Sequence, residues 1–146
     1  AAPRDLAKMG FLALNDGLWN GERLLARGWM HYSLTPAPAG YRYGQYLGLG
    51  VGAHWYLNKG DPAHDIEPRW PEFPQDMFYA SGHWGKAMFI IPSLDMIIVR
   101  LGDDREYGCS PGGGVNPFCV EDYTKAYNTT YFLQLVMATV MTKEGE

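Results

Sequence analysis

Lys86-Ala87-Met88-Phe89-Ile90-Ile91, then Pro92-Ser93-Leu94-Asp95, then Met96-Ile97-Ile98-Val99-Arg100-Leu101-Gly102 is the stretch that decides the fold. Two apolar, β-branched runs flank four residues of turn type, and this pattern predicts an antiparallel hairpin buried on at least one face. The hairpin is the expected core. Upstream, Lys59 to Gln75 is polar and carries Pro62, Pro68, Pro71 and Pro74, which excludes regular structure and predicts a long surface loop. Before that loop, Tyr41 to Leu49 is aromatic and interrupted by glycine, as in a strand approached closely by another backbone, and a second extended piece is expected around His54 to Leu57.

Pro3 to Gly17 reads as a helix with proline in its first turn and glycine just past its end. Leu6, Met9 and Ala13 form its apolar stripe, with Asp5 and Lys8 facing water. Trp19-Asn20-Gly21-Glu22 is a turn around the Asn-Gly dipeptide, and a short helix over Arg27 to Ser33 ends before Pro36 and Pro38. At the other end Asp103 to Phe118 is a Gly- and Pro-rich loop. Asp122 to Met141 is a helix whose face Tyr127, Tyr131, Leu135, Ala138 and Met141 is expected to lie on the sheet. The sum is an α+β fold, an antiparallel sheet covered by the N- and C-terminal helices.

The chain has 146 residues, 47% of them apolar, which suits one domain or part of one spanning 1–146. Twelve basic against sixteen acidic residues give a net charge of −4 with no run of Lys or Arg. Nucleic acid and anionic membrane surfaces are therefore not expected partners. No segment approaches the roughly 20 apolar residues of a membrane span. Cys109 and Cys119 are either two free thiols or a staple worth roughly 2–3 kcal/mol in the chain-entropy model. The sequon at Asn128-Thr129-Thr130 falls inside an expected helix and is read as chance.

The order of a helix containing Arg4-Asp5-Leu6-Ala7, the turn Leu14-Asn15-Asp16-Gly17, Trp-Asn-Gly-Glu, an aromatic strand, Ser81-Gly82-His83-Trp84-Gly85 and Ile91-Pro92-Ser93-Leu94-Asp95 resembles the C-terminal part of the serine beta-lactamase and penicillin-binding-protein-like hydrolases. The resemblance covers about Pro3 to Gly102. It is closest to the class C-like branch of esterases, D-amino-acid peptidases and amide hydrolases. Such enzymes join a Ser-x-x-Lys, a Tyr-x-Asn or Tyr-x-Ser, and a Lys-Thr-Gly or His-x-Gly on a strand. Here His83-Trp84-Gly85 matches the third.

The resemblance implies that His83 stabilises charge beside the nucleophile, that Gly85 lets substrate backbone approach, and that the backbone N–H of Lys86 is one oxyanion donor. Ser81, Trp84 and Trp70 are the expected substrate contacts. No serine begins a Ser-x-x-Lys, and Tyr56-Leu57-Asn58, which spells the second motif, lies where the family does not place it. The nucleophile is accordingly expected on a missing N-terminal segment of a longer protein, and the chain alone is expected to be inactive.

A different class of function is a catalytically inactive homologue that binds a peptide or sugar on a platform of Trp55, Trp70 and Trp84. A metal site from His54, His64, Asp65 and His83 matches no regular ligand spacing, and no metal or other cofactor is expected. The expected partners are a small-molecule or peptide substrate and the missing segment. A homo-oligomer is an alternative cover for any unsatisfied sheet edge. Many relatives act in the bacterial periplasm or are secreted, while some are cytoplasmic.

Overall fold

Proline at the first helical position costs no intrahelical hydrogen bond, and the chain uses it to begin α1, Pro3–Leu14. The computed structural model describes residues 2–37, 49–82, 85–102 and 129–141. The Ala2 N–H donates to Asp5 Oδ2 at 3.1 Å, and Lys8 Nζ lies 3.4 Å from Asp5 Oδ1. The Ala2 amide first, and Lys8 second, hold the Asp5 carboxyl below its ordinary range. At the other end the Gly17 N–H reaches Leu12 O at 2.8 Å and the Asp16 N–H reaches Ala13 O at 3.2 Å, a Schellman closure. The left-handed residue directly past the C-cap is Asp16, with φ 48°, and Gly17 follows it with φ 79°. The Arg23 guanidinium donates to Asp16 O at 2.6 Å and so ties this cap to the next element.

That element is a small hairpin of β1, Leu18–Trp19, and β2, Glu22–Arg23, paired in antiparallel register. Asn20 at φ 50° and Gly21 at φ 83° are the two left-handed positions that a two-residue primed turn demands. A one-and-a-half-turn helix, α2, Trp29–Ser33, follows from Gly28.

Among the described residues the main sheet has five strands: β3, Gly50–Val51; β4, Tyr56–Leu57; β5, Phe78–Ser81; β6, Ala87–Ile91; and β7, Met96–Arg100. They lie side by side in chain order, every neighbouring pair antiparallel. The predicted turn between β6 and β7 is a 3₁₀ turn, Pro92–Leu94, closed by left-handed Asp95. Because directly opposed residues share a face, the register sorts the side chains. Leu57, Phe78, Ile90 and Ile97 form one row, with Ala80, Met88 and Val99 beside it, while Tyr56, Tyr79, Phe89 and Ile98 point the other way.

The first of these faces takes α1. Ala13, Met30, Leu57, Phe78, Met88 and Ile90 are its buried cluster, with Leu6, Leu14, Leu25, Ile97 and Val99 packed around them. Full burial of one such side chain stabilises by about 1.5–3 kcal/mol. The helix seats on β6 and β7 through Gly10, whose added Cβ would lie 2.8 Å from Ile97 Cγ2 and 3.2 Å from Met88 Sδ. This corrects the stripe read from spacing: Gly10 is buried and Met9 is 60% exposed.

The chain divides into two compact units, Ala1–Gly82 with Ala87–Leu101, and His83–Lys86 with Gly102–Glu146. In the second, α3 runs Thr129–Met141. Its buried positions are Leu133 and Met137, whereas Tyr131 and Leu135, expected to be buried, are 61% and 51% exposed. The segment Thr129 to Met141 is apolar nearly all round, so periodicity alone selects no face. The aromatic stretch Tyr41 to Gly48, the expected loop Asp103 to Phe118, Cys109, Cys119 and the expected helical residues from Asp122 to Asn128 lie outside the described residues.

Replacing Gly10 by Ala should lower stability by about 1 kcal/mol. The overpacking cost of about 1–3 kcal/mol against the stiff Ile97 exceeds the gain of about 1 kcal/mol in helix propensity. A urea midpoint that rises instead would show that α1 can lift off the sheet without loss.

Candidate functional site

Of the candidate residues, Ser81 lies at one end of the β5–β6 pair. Ser81 closes β5, is exposed, and pairs with Ala87 at the start of β6 as the last rung of that ladder. Five residues, Gly82 to Lys86, connect the two strands. Gly85 has φ 71°, a left-handed backbone that a side chain would strain, and Gly85 and Lys86 are both half-buried. His83 and Trp84 lie outside the described residues.

Trp70, expected on a substrate rim, is 4% exposed. It packs on the sheet face opposite α1, its ring 5.2 Å from Tyr79 and 6.1 Å from Phe89, with the Arg69 guanidinium 4.7 Å over its own ring. Trp55 packs edge-on to Phe78 at 5.0 Å, on the α1 side. Trp55 and Trp70 therefore stand on opposite faces of the sheet and do not form one stacking platform. Among the described residues no three His, Cys, Asp or Glu side chains are grouped to hold a metal, and His64 Nδ1 is instead 2.7 Å from the buried Asp61 carboxylate.

What holds Trp70 inward is Asn58, which spacing did not single out as structural. Asn58 is fully buried at the end of β4. Its Nδ2 donates to Trp70 O at 3.0 Å, Pro74 O at 3.1 Å and Phe73 O at 3.4 Å. Its Oδ1 accepts from the Trp70 N–H at 3.0 Å. On the main chain, the Asn58 N–H donates to Met77 O at 2.9 Å and its carbonyl accepts from the Arg69 N–H at 3.2 Å. These bonds add to the loop's own, from the Phe73 N–H to Trp70 O and from the Met77 N–H to Pro74 O, and tie the segment to the end of β4. The Pro-rich stretch is thus partly an inner layer: Ile66, Trp70 and Phe73 are all buried. With its amide committed in this way, Asn58 has a structural role, and the Tyr56-Leu57-Asn58 spelling carries no catalytic motif. An Asn placed directly between an apolar strand and a run of prolines was the available signal.

Tyr79 stands at the centre of this face. Tyr56 and Phe89 stack on it from the neighbouring strands at 5.2 Å and 5.6 Å. Its hydroxyl is buried and has no well-formed hydrogen bond among the described residues. Burial pushes its pKa from 10.0 up to about 12, and Arg69 alongside offsets part of that shift.

The chain matches no protein-family model and no curated protein.

The Tyr79 hydroxyl stays neutral in the fold between about pH 10 and 12, where the unfolded chain ionises it. Its contribution is whole below pH 10 and falls as pH rises toward 12, by on the order of 2 kcal/mol. Tyr79→Phe should flatten that part of the alkaline stability curve, as followed by urea unfolding at stepped pH. An unchanged slope would remove Tyr79 as its source.

Proposed function

We propose that the chain is the C-terminal portion of a serine hydrolase, similar to the class C-like beta-lactamases and penicillin-binding proteins, acting on amide, ester or beta-lactam carbonyls through an acyl-enzyme. The observation that carries this reading is the motif order in the sequence, Ser81-Gly82-His83-Trp84-Gly85 directly before the hairpin of β6 and β7. The antiparallel sheet with the N-terminal helix laid across β6 and β7 is compatible with it. A sheet and helix of that kind suit a beta-lactamase/transpeptidase-like fold.

In the proposed reaction a serine from Ser-x-x-Lys on the preceding segment attacks the carbonyl carbon. The carbonyl π pair moves onto oxygen, and that oxyanion lies between the nucleophile's own N–H and the N–H of Lys86. Collapse expels the amine or alcohol, which leaves with the proton taken from the serine, and water then cleaves the ester. His83 supplies hydrogen bonding or positive charge beside the reacting centre, and left-handed Gly85 leaves room for the substrate backbone. The Lys86 side chain has no part. No metal or cofactor is invoked, and a periplasmic or secreted bacterial setting fits envelope-derived substrates better than the cytoplasm.

An inactive homologue binding a peptide or sugar is less well supported, since Trp55 and Trp70 do not share a surface.

A longer protein that carries the chain together with the segment preceding Ala1 should be labelled by a fluorophosphonate or a penicillin, one adduct per molecule by intact mass. His83→Ala should slow labelling by about a hundredfold. A folded longer protein that contains Ser-x-x-Lys and takes up neither probe would overturn the proposal.

A further inference from the structure

The turn between β1 and β2 sets a glycine amide next to an asparagine side chain, in water. Asn20 and Gly21 are its two residues, both exposed, with left-handed φ of 50° and 83°. A Cβ built on Gly21 would meet nothing within 4 Å. Among the described residues neither the Asn20 carboxamide nor the Gly21 N–H takes part in a hydrogen bond. Asn15 and Asn58 are placed differently. Asn58 is fully buried with its carboxamide bound at four points, and Asn15 donates its Nδ2 to Phe11 O at 2.9 Å and is followed by Asp16.

An open amide, a carboxamide in reach and no side chain on the following residue are what imide formation needs. The Gly21 nitrogen attacks the Asn20 side-chain carbonyl carbon and gives up its proton. A nitrogen–carbon bond forms, the bond from Cγ to Nδ2 breaks, and Nδ2 leaves as ammonia with that proton. Water then opens the five-membered ring. Opening at the side-chain carbonyl gives aspartate in an ordinary chain. Opening at the main-chain carbonyl gives isoaspartate, in which the chain runs through Cβ and Cγ and is one atom longer. The folded turn resists closure, because Asn20 must rotate about its Cα–C bond to let the nitrogen approach. That resistance is limited: the ladder has two rungs, and a two-stranded ribbon is marginal by itself, so local opening admits the reaction.

The aspartyl product suits the turn, since Asp-Gly is a favoured pair there. The isoaspartyl product does not, because the length of a two-residue turn fixes the register of the strands it joins. That register sets Trp19 opposite Glu22 and Leu18 opposite Arg23. Through it the hairpin holds the end of α1. Arg23 Nη1 donates to Asp16 O at 2.6 Å, the Leu24 N–H donates to Gly17 O at 2.8 Å, and the Trp19 ring stands edge-on to Phe11 at 5.6 Å. A slipped hairpin withdraws all three.

We propose that Asn20-Gly21 is a site of spontaneous deamidation, and that its isoaspartyl product unfastens the β1–β2 hairpin from the C-terminal end of α1. All the residues concerned belong to one compact unit and owe nothing to the hydrolase reading.

The full protein carrying this chain is aged in neutral phosphate buffer and mapped by peptide mass, with isoaspartate counted by methyl transfer from labelled S-adenosylmethionine. Asn20 should convert ahead of Asn15 and Asn58, with isoaspartate exceeding aspartate, and more slowly than in the urea-unfolded chain. In the isoaspartyl form hydrogen exchange at Gly17 and Leu24 should speed up by about tenfold or more, as loss of a charge-assisted hydrogen bond brings to a local opening. Exchange in β6 should stay slow. Fresh Asn20→Asp has the new charge without the added main-chain atom and should exchange like the parent. Asn20→Gly keeps a residue suited to the turn, has no carboxamide to cyclise, and should age unchanged.

An Asn20 that stays intact in the folded protein while the urea-unfolded chain converts would overturn the site. Isoaspartate at position 20 with parental exchange at Gly17 and Leu24, or the same acceleration in fresh Asn20→Asp, would overturn the link to α1.

Discussion

One carboxamide carries an unusual share of this structure. Asn58 offers two side-chain donors and one acceptor, and they reach the Trp70 N–H and the carbonyls of Trp70, Phe73 and Pro74 in the loop that follows. Leaving the Trp70 N–H buried without this partner would cost about 1–3 kcal/mol. With it, the segment folds inward and brings Ile66, Trp70 and Phe73 into the interior. The sheet therefore has two dry faces built by different means. One is covered by a helix that satisfies its own backbone, the other by irregular chain that the Asn58 amide ties to the end of β4.

The two covers also differ in how closely they sit. On the helix side contact is set by the absence of a side chain at Gly10, which lets the axis of α1 approach Ile97 and Met88. On the loop side contact is set by large rings: Tyr56, Tyr79 and Phe89 in one row across three strands, with Trp70 laid on the last two. A close-packed interior transmits displacement instead of absorbing it. Both β5 and β6 are thereby packed on each face, by α1 on one side and by Trp70 on the other.

The hairpin of β6 and β7 was legible because β-branched runs around Pro92–Asp95 have few other folded uses, and α1 was legible from its proline start and Asn-Asp-Gly end. The stripe on α1 was misjudged at Met9 because pattern reading counts apolar side chains, and Gly10 has none to count. The face of α3 was misread for the opposite reason, an excess of apolar residues on every side. Trp70 was expected outside because prolines mark irregular chain, and irregular chain is usually solvated; only the pairing with Asn58, twelve residues away, reverses that. At the candidate site the motif placed the His-x-Gly segment on a strand, whereas β5 ends at Ser81 and Gly85 has a left-handed backbone.

The strand order has a consequence for how the molecule is made. Among the described residues each strand of the main sheet after the first pairs with its predecessor in the chain, with no crossover between them, and most closures are short. Loop-closure entropy rises only logarithmically with length, so even the Pro-rich excursion between β4 and β5 adds little to the barrier. Low sequence separation of partners favours rapid folding. On a ribosome the sheet could grow by addition, each strand finding its template already in place as it emerges.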